Sequence, residues 1–249
     1  MGRLLAIGDI HGHRDKLSRL LDLVQPGYED TVVFMGDYVD RGPNSPGTIK
    51  LLLDFKVEFP ETVFLAGNHD HLLLSMLSSK GILPEPTLPL ETCATDVNSV
   101  AALLPYRWDF STIFYGNGGV STESQYKSLY DVPDDHLEFF ASLKLFHEEE
   151  RDKQTYFFVH AGIRPGVLLA DQTAGDMLWI RDWEEEFIRL PNGFDGRIVV
   201  RGHDHWREVP GTERYLINLD SGVYFNPQAE PGKGVLTCCD VTTRQIWQI

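Results

Sequence analysis

Three things are scarce in this chain, and each scarcity removes a class of protein. Cysteine occurs only as Cys93, Cys238 and Cys239, with no CxxC spacing. The vicinal pair would point to opposite faces of a strand, so neither a thiolate metal site nor a disulfide framework is supported, and a reducing compartment is expected. Long apolar runs are missing: no stretch reaches the ~18 residues that span a bilayer, and Met1 leads straight into Leu4-Leu5-Ala6-Ile7 without a cleavable signal pattern. The sequence therefore reads as a soluble, cytoplasmic protein with no membrane partner. Positive charge is also short. With 22 Lys and Arg against 37 Asp and Glu, the formal charge is -15, and no Lys/Arg cluster offers a local exception. Such a field repels nucleic acid, which excludes a basic-patch binder.

What is present is enough apolar material, 42% of 249 residues, for one substantial core. Three β-α units open the chain: a strand at Arg3 to Ile7 before a helix at Asp15 to Val24, Thr31 to Met35 before Gly47 to Phe59, and Thr62 to Ala66 before His71 to Leu77. From about 78 to 150 the pattern weakens around Pro84, Pro86 and Pro89, a Gly116 to Gly119 loop and a helical stretch at Asp134 to Phe146. This segment is read as a cap inserted into a single domain of residues 1–249. Strand candidates return at Thr155 to Val159, Arg197 to Val200, Tyr215 to Leu219, Gly234 to Cys239 and Arg244 to Ile249. The acidic runs Glu148 to Glu150 and Glu184 to Glu186 read as solvated faces, and His13 and His71 as partly exposed helical residues.

The loops after the strands carry the chemistry. Asp9 and His11 lie two apart where the first strand runs out, a spacing that lets both side chains share one cation. Asp37 follows the second strand, Asn68 the third, His160 the strand ending at Val159, and His203 with His205 the strand ending at Val200. Carboxylate, carboxamide and imidazole donors from separate strand ends suit hard or borderline divalent ions, and the inventory is large enough for two of them.

GDIHG at Gly8 to Gly12, GDYVDRG at Gly36 to Gly42, GNHD at Gly67 to Asp70, HAG at His160 to Gly162 and GHDH at Gly202 to His205 together resemble the motif series of calcineurin-like metallophosphoesterases. GDYVDRG, FVHAGIRPG, LWIRDW and the NGG at Asn117 to Gly119 are similar to the bacterial Ser/Thr phosphoprotein phosphatases among them. The resemblance implies a four-layer α/β/β/α sandwich with two mixed sheets. It implies a first metal held by Asp9 and His11, a bridging Asp37, and a second metal on Asn68, His160 and His203. His205 is similar to the wider superfamily's GHxH, where that histidine completes the first metal. Mn²⁺ is the expected ion, with Fe or Zn compatible. Two such cations about 3.5–4 Å apart would generate a hydroxide nucleophile. His69 would then protonate the leaving oxygen, Asp40 would orient it, and Arg41 and Arg181 would clamp the phosphoryl group.

Phosphoserine and phosphothreonine proteins are the substrates this likeness favours. GNHD followed by HLLL instead resembles the diadenosine tetraphosphatases, and Ala66, where many protein phosphatases carry an arginine, is a further departure from that group. For that substrate the extra phosphates would need further cations, such as Lys80, Arg107 or Lys127. A catalytically silent scaffold is the third reading, and the intact ligand set with His69 argues against it.

Overall fold

Every side chain of β1 (Leu4–Ile7) is buried, and parity divides them: Leu4 and Ala6 face one apolar cluster, Leu5 and Ile7 another. A strand buried on both faces belongs inside a layered fold. β1 pairs in parallel with β2 (Thr31–Phe34), which pairs in parallel with β3 (Val63–Phe64). On its other side β1 runs antiparallel to β9 (Thr237–Asp240), and β9 to β10 (Gln245–Gln248), so the sheet order is β10-β9-β1-β2-β3. The second sheet has the order β4-β5-β6-β8-β7, from β4 (Phe146–Arg151), β5 (Gln154–Val159), β6 (Ile198–Arg201), β7 (Gly211–Glu213) and β8 (Leu216–Asn218). In it β5, β6 and β8 are parallel, and the two edge strands are antiparallel. The computed structural model describes residues 2–104, 110–205 and 211–249, which leaves Arg107 outside the described residues.

The two mixed sheets pack face to face through Leu4, Ala6, Val33, Met35, Phe158, Val200, Ile217 and Cys239. The opposite parity, including Ile7, Phe34, Phe157, Val199 and Cys238, packs on helices. This is the expected sandwich, and vicinal Cys238 and Cys239 do point to its two different layers. On the first sheet lie α1 (Arg14–Val24), with Leu17, Leu20 and Val24 inward, and α2 (Ser45–Glu58), whose first turn is capped by Asn44 accepting from the Gly47 amide at 2.9 Å. α3 (Asn68–Ser79) follows β3. The segment beyond it forms α4 (Phe110–Phe114), α5 (Val120–Tyr126) and α6 (Asp134–Ala141), and the second sheet is covered by α7 (Ala174–Trp179) and α8 (Glu184–Phe187). Among the described residues no helix is long and apolar enough to cross a membrane.

Several sequence expectations are corrected. The helix expected to reach Phe146 ends at Ala141, and Phe146 begins β4, so Glu148 to Glu150 alternate along an edge strand. Glu148 pairs there with Arg197 and Glu149 with Arg151. Three consecutive glutamates hid this strand because β propensity counts against them, whereas pairing with β5 over six residues outweighs it. Glu184 is no solvated residue: it is 2% exposed and ion-paired to the fully buried Arg201. His71 is likewise buried, at the base of α3.

Candidate metal-centred site

The parallel strands β1, β2, β5 and β6 deliver their following loops to one edge of the sandwich, where open α/β sheets bind ligands. The turns are tight enough to force left-handed backbone on residues other than glycine: φ is +44° at His11, +53° at Asp37, +69° at Asp40, +66° at Arg41 and +69° at His203. Such conformations cost of order 1–3 kcal/mol each and persist only where the surroundings over-determine them. Close approach is equally demanding. A Cβ at Gly67 would collide with Asp37 Oδ1, and one at Gly202 with Asp9 Oδ1, so glycine is needed for the third and sixth loops to reach the carboxylates.

Asp37 sits at the centre. His11 Nδ1 lies 2.8 Å from the Val39 carbonyl and His160 Nδ1 lies 2.8 Å from the Met35 carbonyl. A carbonyl only accepts, so both Nδ1 atoms carry the proton, and burial holds both imidazoles toward the neutral form. Their Nε2 lone pairs then face opposite oxygens of one carboxylate: His11 Nε2 is 3.5 Å from Asp37 Oδ2, and His160 Nε2 is 3.5 Å from Asp37 Oδ1. Burial pushes the Asp37 carboxyl up, and only positive charge at His160, His69, His11 and His203, or on a cation among these neutral rings, holds it well below the usual carboxylate range. Asn68 Oδ1 repeats the pattern 3.1 Å from His160 Nε2, and it also lies 2.9 Å from His203 Nδ1, whose Nε2 is buried without a hydrogen-bond partner. Acceptors aimed at acceptors are repulsive unless a cation lies among them, so this donor set fits metal ions, with Asp37 shared between two positions. Among the described residues two groups have ligand atoms all within 4.8 Å of one another: His11, Asp37 and His69, and Asp9, Asp37 and His160. Asp9 and His11, read as one chelating pair, thus stand in different groups joined through Asp37. Asp9 also accepts from the His203 amide at 3.1 Å, and burial followed by the charges of Asp220 and Asp37 raises it well above its ordinary value.

Beside this centre, His69 Nδ1 lies 2.7 Å from Asp40 Oδ2, and Arg41 Nη2 lies 2.9 Å from His69 Nε2. Arg41 stacks on Tyr224 with 4.2 Å to the ring centroid, and Gly118 of the NGG stretch packs against its Cγ. Arg181 is 46% exposed, with Nη1 3.9 Å from Asp204 Oδ1. His205 falls in neither ligand group; it packs on Phe225 at 4.7 Å between ring centroids, with Tyr224 Oη 3.4 Å from its Nδ1. Burial and then Lys233 lower its pKa to about 4.

Sequence reading missed four residues. Asp220 is 2% exposed, and burial pushes its carboxyl up to about 6 even though it accepts from the Gly222 amide. It stands two residues beyond β8 as Asp9 stands two beyond β1, a signal that was available. Tyr224 and Thr122 come from distant segments and left none. Asp70 accepts from the amides of Asp37 at 2.7 Å, Gly67 at 2.8 Å and Tyr38 at 3.1 Å, tying the start of α3 to the second loop.

The family model for calcineurin-like phosphoesterases matches residues 2–207. Among solved structures, a proposed diadenosine tetraphosphatase is 21% identical with a TM-score of 0.66, covering 100% of this chain and 93% of that one. A protein serine/threonine phosphatase from Saccharomyces cerevisiae is 17% identical at TM-score 0.57, covering 100% and 79%. A cold-active protein-tyrosine phosphatase from a Shewanella species is 16% identical at TM-score 0.52, covering 100% and 77%. At these identities the three share its fold, while the family match spans most of the motif-bearing loops; the chain belongs to the calcineurin-like phosphoesterases, whose chemistry is metal-dependent hydrolysis of phosphate esters.

Proposed function

We infer that the protein hydrolyses phosphate monoesters, with phosphoserine and phosphothreonine proteins as its substrate class. The observation that carries this reading is the size of the anion clamp beside the metal-ligand set. Arg41, 2.9 Å from His69, leans over the centre, and Arg181 stands half-exposed at its rim, which suits one phosphoryl group. Lys80 lies at the far end of α3 from His69, over the ring of Tyr130, and Lys127 is exposed just past α5.

Asp9, His11, Asp37, Asn68, His160 and His203 would hold two divalent cations, and His205 a place beside the first; Mn²⁺ suits the donors, as do Fe and Zn. When bound, such cations supply Lewis-acid charge that acidifies water and neutralises phosphoryl oxygens. The chain's own groups do the rest. A water oxygen bonds to phosphorus as it releases a proton to solvent, the ester P–O bond breaks, and the leaving oxygen takes the proton carried by His69 Nε2, which solvent then restores. Arg41 and that proton exclude each other, because both would point at the same Nε2. Protonation of His69 therefore frees Arg41 to bind the phosphoryl oxygens, while Asp40 holds the opposite ring nitrogen.

Symmetrical cleavage of diadenosine tetraphosphate is the second reading. It is favoured by Lys233, whose Nζ stands 4.8 Å from the Phe225 ring and whose charge acts on His205 together with those of Arg41 and Arg181. A comparison of kcat/KM for a phosphothreonine peptide, 4-nitrophenyl phosphate and diadenosine tetraphosphate at one Mn²⁺ concentration decides between them. The monoesters are expected to lead. A dinucleotide value more than about tenfold above both, or about 1.4 kcal/mol of better transition-state binding, would reverse the ranking.

A further inference from the structure

Thr122 lies on α5, 82 residues from Asp40 in sequence, yet its side chain is fully buried against it. The contact is reciprocal: Thr122 Oγ1 donates to Asp40 Oδ1 at 2.6 Å and accepts from the Asp40 amide at 2.9 Å. Asp40 is at φ +69° with no exposed surface, so one hydroxyl satisfies both the amide of a strained residue and the carboxylate oxygen that His69 leaves unused. The surrounding bonds brace the same junction. Ser121 Oγ and Gln125 Nε2 both donate to the Gly42 carbonyl, at 2.8 and 2.9 Å, and Gln125 Oε1 accepts from the Ser45 amide at 2.5 Å. The motif loop around Asp40 is thereby closed by a helix from the segment between the third and fourth strands.

We propose that Thr122 is a positioning residue for catalysis: through Asp40 it fixes the orientation in which His69 delivers a proton to the leaving oxygen. This rests on the proton-donor reading of His69 above. With the hydroxyl in place, Asp40 Oδ1 is committed to Thr122, and only Oδ2 is available to His69 Nδ1. Without it, the carboxylate loses its second anchor and is free to turn, and the imidazole loses its fixed aim.

A proton donor matters most when the leaving group is a poor one, which separates this role from general support of the fold. In the Mn²⁺-loaded protein, Thr122→Val is expected to lower kcat on a phosphothreonine peptide at least about tenfold more than on 4-nitrophenyl phosphate, whose phenolate departs without help, with KM little changed. Thr122→Ser should restore the native ratio. His69→Asn should show the same differential, larger, and Thr122→Val in that background should add none. In the metal-free protein, the low-field proton resonance of the His69 Nδ1–H···Asp40 bond should persist in Thr122→Ser and shift or vanish in Thr122→Val. If Thr122→Val does not fold, Thr122→Ala serves, since it removes the hydroxyl without adding a branch. Equal losses on both substrates in the Thr122 variant, with the differential intact in His69→Asn, would overturn the proposal alone. No differential in His69→Asn would overturn the proton-donor reading and the proposal with it.

Discussion

Glu184→Ala removes one half of the most deeply buried ion pair among the described residues. Arg201, on β6 one residue before Gly202, has no exposed surface, and its Nη2 pairs with Glu184 Oε1, itself on a residue 2% exposed. Nη1 donates to the Ala161 carbonyl at 2.8 Å, and the plane lies against Trp183, 5.6 Å from its centroid. Removing the carboxylate strands a guanidinium in the interior with Asp204 Oδ2, at 3.6 Å, as its nearest remaining counter-charge, and Asp220 and Asp9 farther off. Breaking a buried pair from one side costs about 3–5 kcal/mol, and the surviving Asp204 places this case toward the lower figure. In a domain of this size that is a fall in Tm of about 6–20 °C. Asp204 also faces Arg181, so drawing Asp204 toward Arg201 should loosen the arginine at the rim and raise KM more than it lowers kcat. Urea and thermal unfolding, followed by intrinsic fluorescence, read the first effect. The double variant Glu184→Leu with Arg201→Met restores an apolar fill and should recover most of the lost stability. A single variant destabilised by less than about 1 kcal/mol, or a double variant worse than the single, would refute the argument that the pair is held by mutual charge compensation.

Three further outcomes are expected. An active preparation should carry close to two divalent ions and lose activity to a chelator, and elemental analysis finding no transition metal would contradict the shared-carboxylate reading of Asp37. Asp37→Asn should weaken both positions because each of its oxygens faces a different imidazole, so the ion count by inductively coupled plasma spectrometry should fall toward zero and not toward one. His205→Ala should raise the Mn²⁺ concentration giving half-maximal activity more than it lowers the saturated rate; an unchanged titration would leave His205 as packing against Phe225.

The ligand-bearing loops were legible because their signals are local: a buried strand of four or five apolar residues, a glycine where the backbone must pass a carboxylate, and a side chain with donor oxygen or nitrogen just beyond. Asp9, His11, Asp37, Asn68, His160 and His203 all follow such a strand, Gly67 and Gly202 supply the close approach to a carboxylate, and strand pairing brings the six together because parallel strands end at the same edge. The two-residue rule for the β8 end would have found Asp220 as well. Strand β4 was not legible, since His147 and Glu148 to Glu150 favour a strand only once β5 lies alongside to bond their backbones. Nor could the chain by itself say that Glu184 is buried, because an acidic run in a helix looks the same whether or not an arginine 17 residues later waits beneath it. The largest gap concerns Thr122, Gly118 and Tyr224. Their positions around Asp40 and Arg41 depend on loop closures of some 77 to 183 residues, whose geometry no local propensity encodes. Sequence determined which donor atoms would gather at this edge, because covalent spacing and strand parity fix those. Tertiary packing alone decided which hydroxyl, ring and glycine would hold the proton donor and the arginine in place, because those contacts exist only when distant helices and loops have been brought to the same edge.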